Sequence, residues 1–144
     1  FVPDIGGTWL LSRAPGELGT HVALTAGSVS GPDAIELGLA DHYMPSGRLA
    51  QFAAALEQEP AAQAAARFAE AQVPPSPLAE ERDWIDECYA GDSVEQIVRR
   101  LRAHPAPAAR EAAGAVQAKS PTALKVTLAA LRRARSLGTL EEVL

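Results

Sequence analysis

One carboxylate near the start of the chain lies in a sequence context that suits chemistry. Asp4 belongs to the run FVPDIGG at residues 1–7, a tight Pro/Gly turn directly before an apolar helix. Paired glycines let the backbone pass close to a ligand or to another strand, because they carry no Cβ atom. A carboxylate fixed on such a turn can contact a substrate and take part in proton transfer. The local sequence alone favours a simpler role, in which Asp4 accepts hydrogen bonds from the turn or caps the following helix.

The sequence argues against three other kinds of site. His21, His42 and His104 are isolated from one another, and Cys88 has no Cys or His at ligand spacing, so we expect no metal centre. A Ser-His-Asp triad can assemble from distant positions, but no serine lies in a nucleophile-elbow motif. The glycine pair at residues 6–7 lacks the longer glycine spacing and the lysine of a phosphate-binding loop.

The charge pattern limits the partners of the chain. The 144 residues carry a net charge of −5, with the acidic residues spread along the chain. No basic field therefore exists to attract nucleic acid or an anionic membrane surface. Two arginine-rich runs, residues 99–102 and 132–135, lie inside helical patterns, and we expect them to be solvated helix faces. The sharper alternative is that either run contacts the phosphorylated tail of a cofactor.

Composition also bears on location and source. Cys88 is the only cysteine, and the chain shows no signal peptide and no apolar run of membrane-spanning length, which favours a reduced, cytoplasmic location. Abundant alanine, and basic residues that are nearly all arginine, are typical of a GC-rich genome, so we expect a bacterial source. The chain opens on Phe1 without an initiator Met, and we interpret that opening as an entry partway through a domain.

The first third of the chain must position Asp4. Its pattern predicts a short helix over residues 8–13 and a second helix from about Glu17 toward Gly27. A third helix is expected to start at SGPD, residues 30–33, where a capping hydroxyl precedes a carboxylate by three residues, and to stop at Gly38. Residues 39–44, LADHYM, predict a short strand that Pro45 ends.

From Ser46 onward the pattern is helical almost without a break. Asp92 and Glu95 suit a capping box before a helix over 94–103, and Ser120-Pro121 suits the start of a helix over 121–136. Three prolines within residues 72–77 predict a connector, since each denies a helix one donor. The sequence thus predicts a mostly α-helical chain, with further helices over 47–58, 61–71, 78–90 and 106–119 and a last start at Leu140.

The opening turn and the elements after it resemble a known superfamily. FVPDIGGT at 1–8 is followed by LG at 18–19, the helix end ALTAG at 23–27, and AIELGLA at 34–40 before the short strand. Each piece is weak alone, but their order and spacing together resemble the crotonase (enoyl-CoA hydratase/isomerase) superfamily from Phe1 to about Pro45.

Asp4 also separates branches of that superfamily. Ordinary hydratases usually carry a small residue at this position, whereas a Phe-x-Pro-Asp-x-Gly-Gly turn resembles the 3-hydroxyisobutyryl-CoA hydrolase family. The C-terminal half is similar to the helical tail of those hydrolases in WIDECY at 84–89, SVEQI at 93–97, KSPTALKVT at 119–127 and TLEEVL at 139–144. The most specific of these pieces is Ser-Pro-Thr-x-Leu-Lys.

The resemblance implies the helical C-terminal part of an α/β crotonase fold. Residues 1–45 would be the end of the crotonase core, and residues 46–144 would be a C-terminal helical region. It places the family's ββα spiral core, its oxyanion-hole loop and its catalytic Glu before Phe1, so we expect the 144-residue piece alone to be inactive. Asp4 is then the one catalytic and substrate-binding position of the family within this chain.

The implied reaction is the hydrolysis of 3-hydroxyisobutyryl-CoA in valine breakdown, with CoA as part of the substrate and no metal or redox cofactor. The Glu would attack the thioester carbonyl or activate water, while backbone N–H groups stabilise the oxyanion. Asp4 would hydrogen-bond the 3-hydroxyl of the substrate, position water, or raise the pKa of the Glu.

Two alternatives stay open at this point. One is a hydratase or isomerase of the same fold, in which Asp4 handles protons on the acyl chain while the thioester survives. The other is a non-catalytic helical interaction module in which Asp4 is only a cap. Phosphates of CoA need cations, for which Arg13, Arg48 and the 132–135 group are candidates, and the resemblance is compatible with a homo-oligomer.

Overall fold

The computed structural model describes residues 3–4 and 6–143, and these residues form helices without a strand. The predicted mostly α-helical chain is confirmed. A 3₁₀ turn (Ser46–Arg48) precedes the fourth helix. In chain order the helices are α1 (Gly7–Ser12), α2 (Leu18–Thr25), α3 (Gly31–Glu36), α4 (Leu49–Ala55), α5 (Ala61–Phe68), α6 (Pro77–Glu80), α7 (Arg82–Tyr89), α8 (Val94–Ala103), α9 (Pro107–Gln117) and α10 (Pro121–Ala134).

The main core is built by the helices that follow α6, together with α2. Helix α8 packs on α9, α2 packs on α7, and α10 contacts α1, α2 and α8. Apolar residues recur at helical spacing in these segments, so each helix turns one stripe inward. None of the helices in the described residues has the length and apolar character needed to span a bilayer. The fully buried side chains include Leu18, Leu24, Ile85, Tyr89, Ile97, Leu101, Val116 and Leu131.

The predicted caps define where several helices begin and end. Ser30 Oγ accepts a hydrogen bond from Asp33 N, and the Asp33 carboxylate accepts one from Ser30 N at 2.9 Å, which completes a capping box. Gly38 follows α3 with φ +70°, a left-handed conformation that glycine adopts without strain. Ser120 Oγ accepts from Ala123 N ahead of Pro121, as the sequence predicted.

Two predicted helix starts differ from the structure. Helix α8 is capped by Ser93, whose hydroxyl accepts from Gln96 N, so the expected Asp92–Glu95 pairing is wrong by one residue. Gln96 Oε1 in turn accepts a hydrogen bond from Asp92 N at 3.0 Å. The helix expected from Leu140 is also absent, because residues 141–143 form only a turn.

The strand expected at residues 39–44 is wrong. A strand needs a neighbouring strand to satisfy its backbone groups, and the described residues offer it only a single ladder-like bond, from Glu70 N to Tyr43 O at 2.9 Å. Its apolar side chains serve other contacts. Tyr43 lies against Gly31, and Met44 packs on the small cluster of the next two helices.

Helices α4 and α5 form a hairpin with a small core of its own. Phe52, Ala55, Ala64 and Phe68 pack together there, with the Phe52 and Phe68 rings edge to face at 5.9 Å. The predicted proline-rich connector then leads back to α3. Asp33 fixes that return, because its carboxylate accepts bonds from Ser76 Oγ at 2.6 Å and from Leu78 N at 3.1 Å.

Candidate active site

The turn that carries Asp4 has a geometry that only glycine suits. Gly7 N donates to Asp4 O at 2.7 Å, which closes a four-residue turn. Gly6 has φ +84° and ψ −4°, the values of the third residue in a type II turn, and a side chain there would be strained. The Thr8 hydroxyl donates to Pro3 O at 2.9 Å and ties the turn to the first helical residues. The glycine pair therefore sets the backbone position from which the Asp4 side chain projects.

The Asp4 side chain is not used by the fold. The residue is exposed, and its carboxylate makes no hydrogen bond or ion pair with the described residues. The N-cap of α1 is Gly6, which has no side-chain cap, so the expectation that Asp4 caps this helix is wrong. An exposed carboxylate without a partner among the described residues can meet a ligand. Its neighbour Ile5 lies outside the described residues.

Helix α1 is anchored behind this turn by α10. The Arg13 guanidinium lies 3.1 Å from the centroid of the Trp9 ring and donates to Leu137 O at 2.9 Å. Arg13 thus covers the end of α10 instead of reaching into solvent for a phosphate. A pocket of about 260 Å³ lies between α1, the end of α10 and the segment after it, lined in part by Thr8, Arg133 and Glu142.

A second carboxylate, Glu17, lies at the start of α2, and both of its oxygens accept hydrogen bonds. Arg132 Nη1 donates to both of its oxygens at 2.9 and 2.8 Å, and Arg135 Nη1 donates at 2.8 Å. The Thr20 hydroxyl donates at 2.6 Å. Burial raises the pKa of Glu17, but the hydrogen bonds from Arg135, Thr20 and Arg132 outweigh it and hold that pKa below its usual value.

The Glu17 cluster overturns both interpretations of the 132–135 run for Arg132 and Arg135, whereas Arg133 is exposed and lies outside the cluster. Arg132 and Arg135 are neither a solvated face nor cations available to a phosphate, because they bind Glu17 and nearby carbonyls. Arg132 Nη2 donates to Tyr89 O at 2.7 Å and to Gly91 O at 3.2 Å. The cluster therefore joins α2, α10 and the end of α7.

The other cations differ in how far they are engaged. Arg48 pairs with Glu70 at 3.2 Å on the surface of the α4–α5 hairpin. Arg133 is exposed on the wall of the pocket beside α1, and its side chain makes no hydrogen bond with the residues that the structure describes. The 99–102 run is exposed apart from Leu101, as expected for a solvated face.

The histidines and the cysteine do not form a site. His21 is largely buried, with its ring edge-on to Tyr89 at 5.1 Å and to Trp84 at 5.6 Å, and burial lowers its pKa to about 4. Burial also raises the pKa of the Cys88 thiol. Within residues 3–4 and 6–143, no group of three His, Cys, Asp or Glu side chains could hold a metal ion.

The sequence did not predict the contacts of Glu17 or of Leu140. Leu140 lies against the turn that carries Asp4. A methyl group placed on Gly6 would come within 3.4 Å of Leu140 Cδ1. Arg132 and Arg135 share one helix face three residues apart, a spacing that indicates a common acidic partner. The identity of that partner, 115 residues away, depends on the fold.

Comparisons with known proteins agree on one family. All of residues 1–144 match the family described as Enoyl-CoA hydratase/isomerase. The chain is 34% identical over 156 residues to the mitochondrial 3-hydroxyisobutyryl-CoA hydrolase of Rattus norvegicus, and 33% identical over 152 residues to that of Homo sapiens. Each alignment covers 99% of this chain and 39% of the relative. The chain thus spans about two fifths of the length of these curated relatives.

Solved structures show the same similarity. A carnitinyl-CoA dehydratase from Mycobacterium thermoresistibile superposes with a TM-score of 0.95 at 53% identity, over 99% of this chain and 42% of that one. An enoyl-CoA hydratase from Rhodobacter sphaeroides 2.4.1 superposes with a TM-score of 0.82 at 36% identity, over 99% of this chain and 41% of that one. The observed helices therefore match the helical C-terminal part of solved enzymes.

Proposed function

Because the chain belongs to the enoyl-CoA hydratase/isomerase family, we propose that the protein carrying it hydrolyses a short-chain acyl-CoA thioester, with 3-hydroxyisobutyryl-CoA as the substrate. The observation that carries the proposal is the Asp4 carboxylate, which is exposed and has no partner among the described residues, on a hydrogen-bonded glycine turn. Curated relatives at 33–34% identity are named for hydrolysis of this substrate.

In the proposed reaction, Asp4 works beside a Glu that the family resemblance places before Phe1. The Glu attacks the thioester carbonyl or activates a water that does so, and the C–S bond then breaks. CoA leaves as a thiolate that takes up a proton; where the Glu itself attacks, a water then hydrolyses the acyl–Glu anhydride, and on either route the acyl group leaves as the carboxylic acid. Asp4 hydrogen-bonds the 3-hydroxyl of the substrate or positions the water, which requires a carboxylate with free lone pairs.

The surroundings of Asp4 support this role. The turn is closed by a backbone bond at 2.7 Å and braced by Thr8 at 2.9 Å, so the backbone from which the carboxylate projects is held by hydrogen bonds. Arg133, on the wall of the adjacent pocket, is the cation that we propose for an anionic group of the CoA tail. We further propose a bacterial, cytoplasmic enzyme of valine breakdown that requires no metal or redox cofactor and forms a homo-oligomer.

A second candidate function is hydration or isomerisation of an acyl-CoA on the same fold. It is favoured by the solved dehydratase, whose 53% identity to this chain exceeds that of the hydrolases. In this reaction Asp4 would transfer protons on the acyl chain and the C–S bond would survive. The appearance of free CoA therefore separates the two candidates.

The test is thiol release from 3-hydroxyisobutyryl-CoA by the full-length protein, followed with a thiol reagent, beside hydration of crotonyl-CoA. We expect rapid thiol release that falls by about 100-fold or more in Asp4→Asn, since a positioned acid–base group contributes on that order. Asp41→Asn is the matched control, because Asp41 is also exposed but lies on the segment after α3. Hydration without thiol release would contradict the hydrolase and favour the second candidate.

A further inference from the structure

The segment after α10 folds back into a locked turn. Glu142 Oε2 accepts hydrogen bonds from Gly138 N at 2.7 Å and from Thr139 N at 3.2 Å. The Thr139 hydroxyl accepts one from Glu142 N at 3.4 Å. This is the reciprocal pattern of a capping box, here without a helix behind it. It fixes the direction in which Leu140 leaves the backbone.

Leu140 lies against the turn of Asp4. A Cβ atom built on Gly6 would lie 3.4 Å from Leu140 Cδ1, which is ordinary van der Waals contact. Gly6 has no side chain of its own with which to pack, so the Leu140 side chain covers this face of the turn. Leu140 remains 38% exposed, so one side of it faces solvent while the other faces the turn.

The start of the segment, at Leu137, is hydrogen-bonded to Arg13 at the end of α1. Arg13 donates to Leu137 O at 2.9 Å and stacks on Trp9, so α1 and the start of the segment are joined directly. The pocket of about 260 Å³ beside Thr8 is lined by Leu137, Glu142 and other residues of this region. Contact with Leu140 therefore closes a loop of interactions from α1 through α10 to the glycine turn.

We propose that Leu140 is a positioning residue that holds the glycine turn, and through it the Asp4 carboxylate, in place for reaction. The inference rests on the proposed function of Asp4. Misplacement of a reacting group by about 1 Å can lower a rate by on the order of 100-fold. Loss of the Leu140 side chain should therefore lower turnover while Asp4 itself is intact.

The experiment is a double-mutant cycle in the full-length protein, with kcat and KM measured for thiol release. Leu140→Ala is expected to lower kcat about tenfold in the native background and less than twofold when Asp4 is replaced by Asn. Leu140→Met should restore most of the turnover, because it refills the contact. Leu56→Ala is the matched control, since Leu56 is 42% exposed and lies beside α4, away from Asp4.

Each outcome bears on one claim. Equal losses from Leu140→Ala in both backgrounds would mean that the leucine acts only on the amount of folded protein, and would overturn the positioning role. Undiminished kcat in Leu140→Ala would overturn it as well. Full thiol release by Asp4→Asn would instead reject the role proposed for Asp4, whatever Leu140 does.

Discussion

Two carboxylates near the start of the chain differ in burial and in hydrogen bonding. Glu17 is nearly buried and accepts hydrogen bonds from Arg132, Arg135 and Thr20. Asp4 is exposed, and its carboxylate has no partner among the described residues. The backbone around Asp4 is nevertheless hydrogen-bonded, through the turn bond from Gly7 N to Asp4 O and the Thr8 bond to Pro3 O.

The difference separates a carboxylate that holds structure from one that is available to a ligand. A buried charge must be fully paired, because an unpaired one costs several kcal/mol. Glu17 meets that condition by using both oxygens. An exposed carboxylate needs no protein partner, since water solvates it. The Asp4 carboxylate is therefore available to a ligand, and this is why we propose a chemical role for Asp4 and not for Glu17.

The largest effect should come from Glu17→Ala. Removal of the carboxylate leaves two half-buried guanidinium groups without their shared counter-ion, and we expect a loss of about 3 kcal/mol in the free energy of unfolding. Urea denaturation of the full-length protein measures it. Glu95→Ala is the control, because its ion pair with Lys125 at 2.7 Å is exposed and should contribute little to stability. Similar losses in the two variants would break the comparison.

A smaller effect on the free energy of unfolding is expected at Asp33, a second carboxylate that accepts hydrogen bonds from the protein. Burial raises its pKa, but bonds from Ser76, from Ser30 and from Leu78 N outweigh burial and lower the pKa to about 2, from 3.8 in an unfolded chain. The ionised group therefore stabilises the fold fully above about pH 4, and this contribution, about 2 kcal/mol, is lost as the pH falls toward 2.

Asp33→Asn should accordingly be destabilised by about 2 kcal/mol at pH 7. The gap between the native protein and the variant should close as the pH falls from 4 to 2. Urea denaturation at several pH values measures this, and Asp41→Asn, on the exposed segment after α3, should show no such gap. A gap that stays constant with pH would mean that the charge of Asp33 contributes nothing.

The smallest effect on stability is expected at Asp4 itself. Asp4→Asn should change the free energy of unfolding by less than about 0.5 kcal/mol, as for other surface substitutions, while thiol release is lost. Urea denaturation of the same preparation used for kinetics checks this. A destabilisation comparable to that of Glu17→Ala would show that Asp4 holds the fold after all.

Local sequence signals predicted much of the fold and the turn of the site. Helical periodicity located α8, α9 and α10, and the caps at Ser30 and Ser120 are confirmed because capping depends on neighbours three residues away. The resemblance to the crotonase superfamily is confirmed by the match over residues 1–144. The role of Asp4 stays a prediction, although its turn has the expected form.

The errors have physical causes that local patterns do not contain. The strand at 39–44 failed because strand formation depends on a partner, whereas a helix satisfies its own backbone. The α8 cap shifted by one residue because Ser93 takes the extended conformation that a cap requires. Glu17 was missed because its partners come from α10, and only the packed helices bring them together.

The self-contained packing of the α4–α5 hairpin bears on how this fold tolerates change in length. Its apolar side chains bury one another, so an insertion or deletion at the tip would leave the main core in register. The entropic cost of a longer excursion grows only slowly with the number of residues added. The segment between Pro45 and Glu70 is therefore the part of the chain where whole residues can be gained or lost with the least disturbance to Asp4.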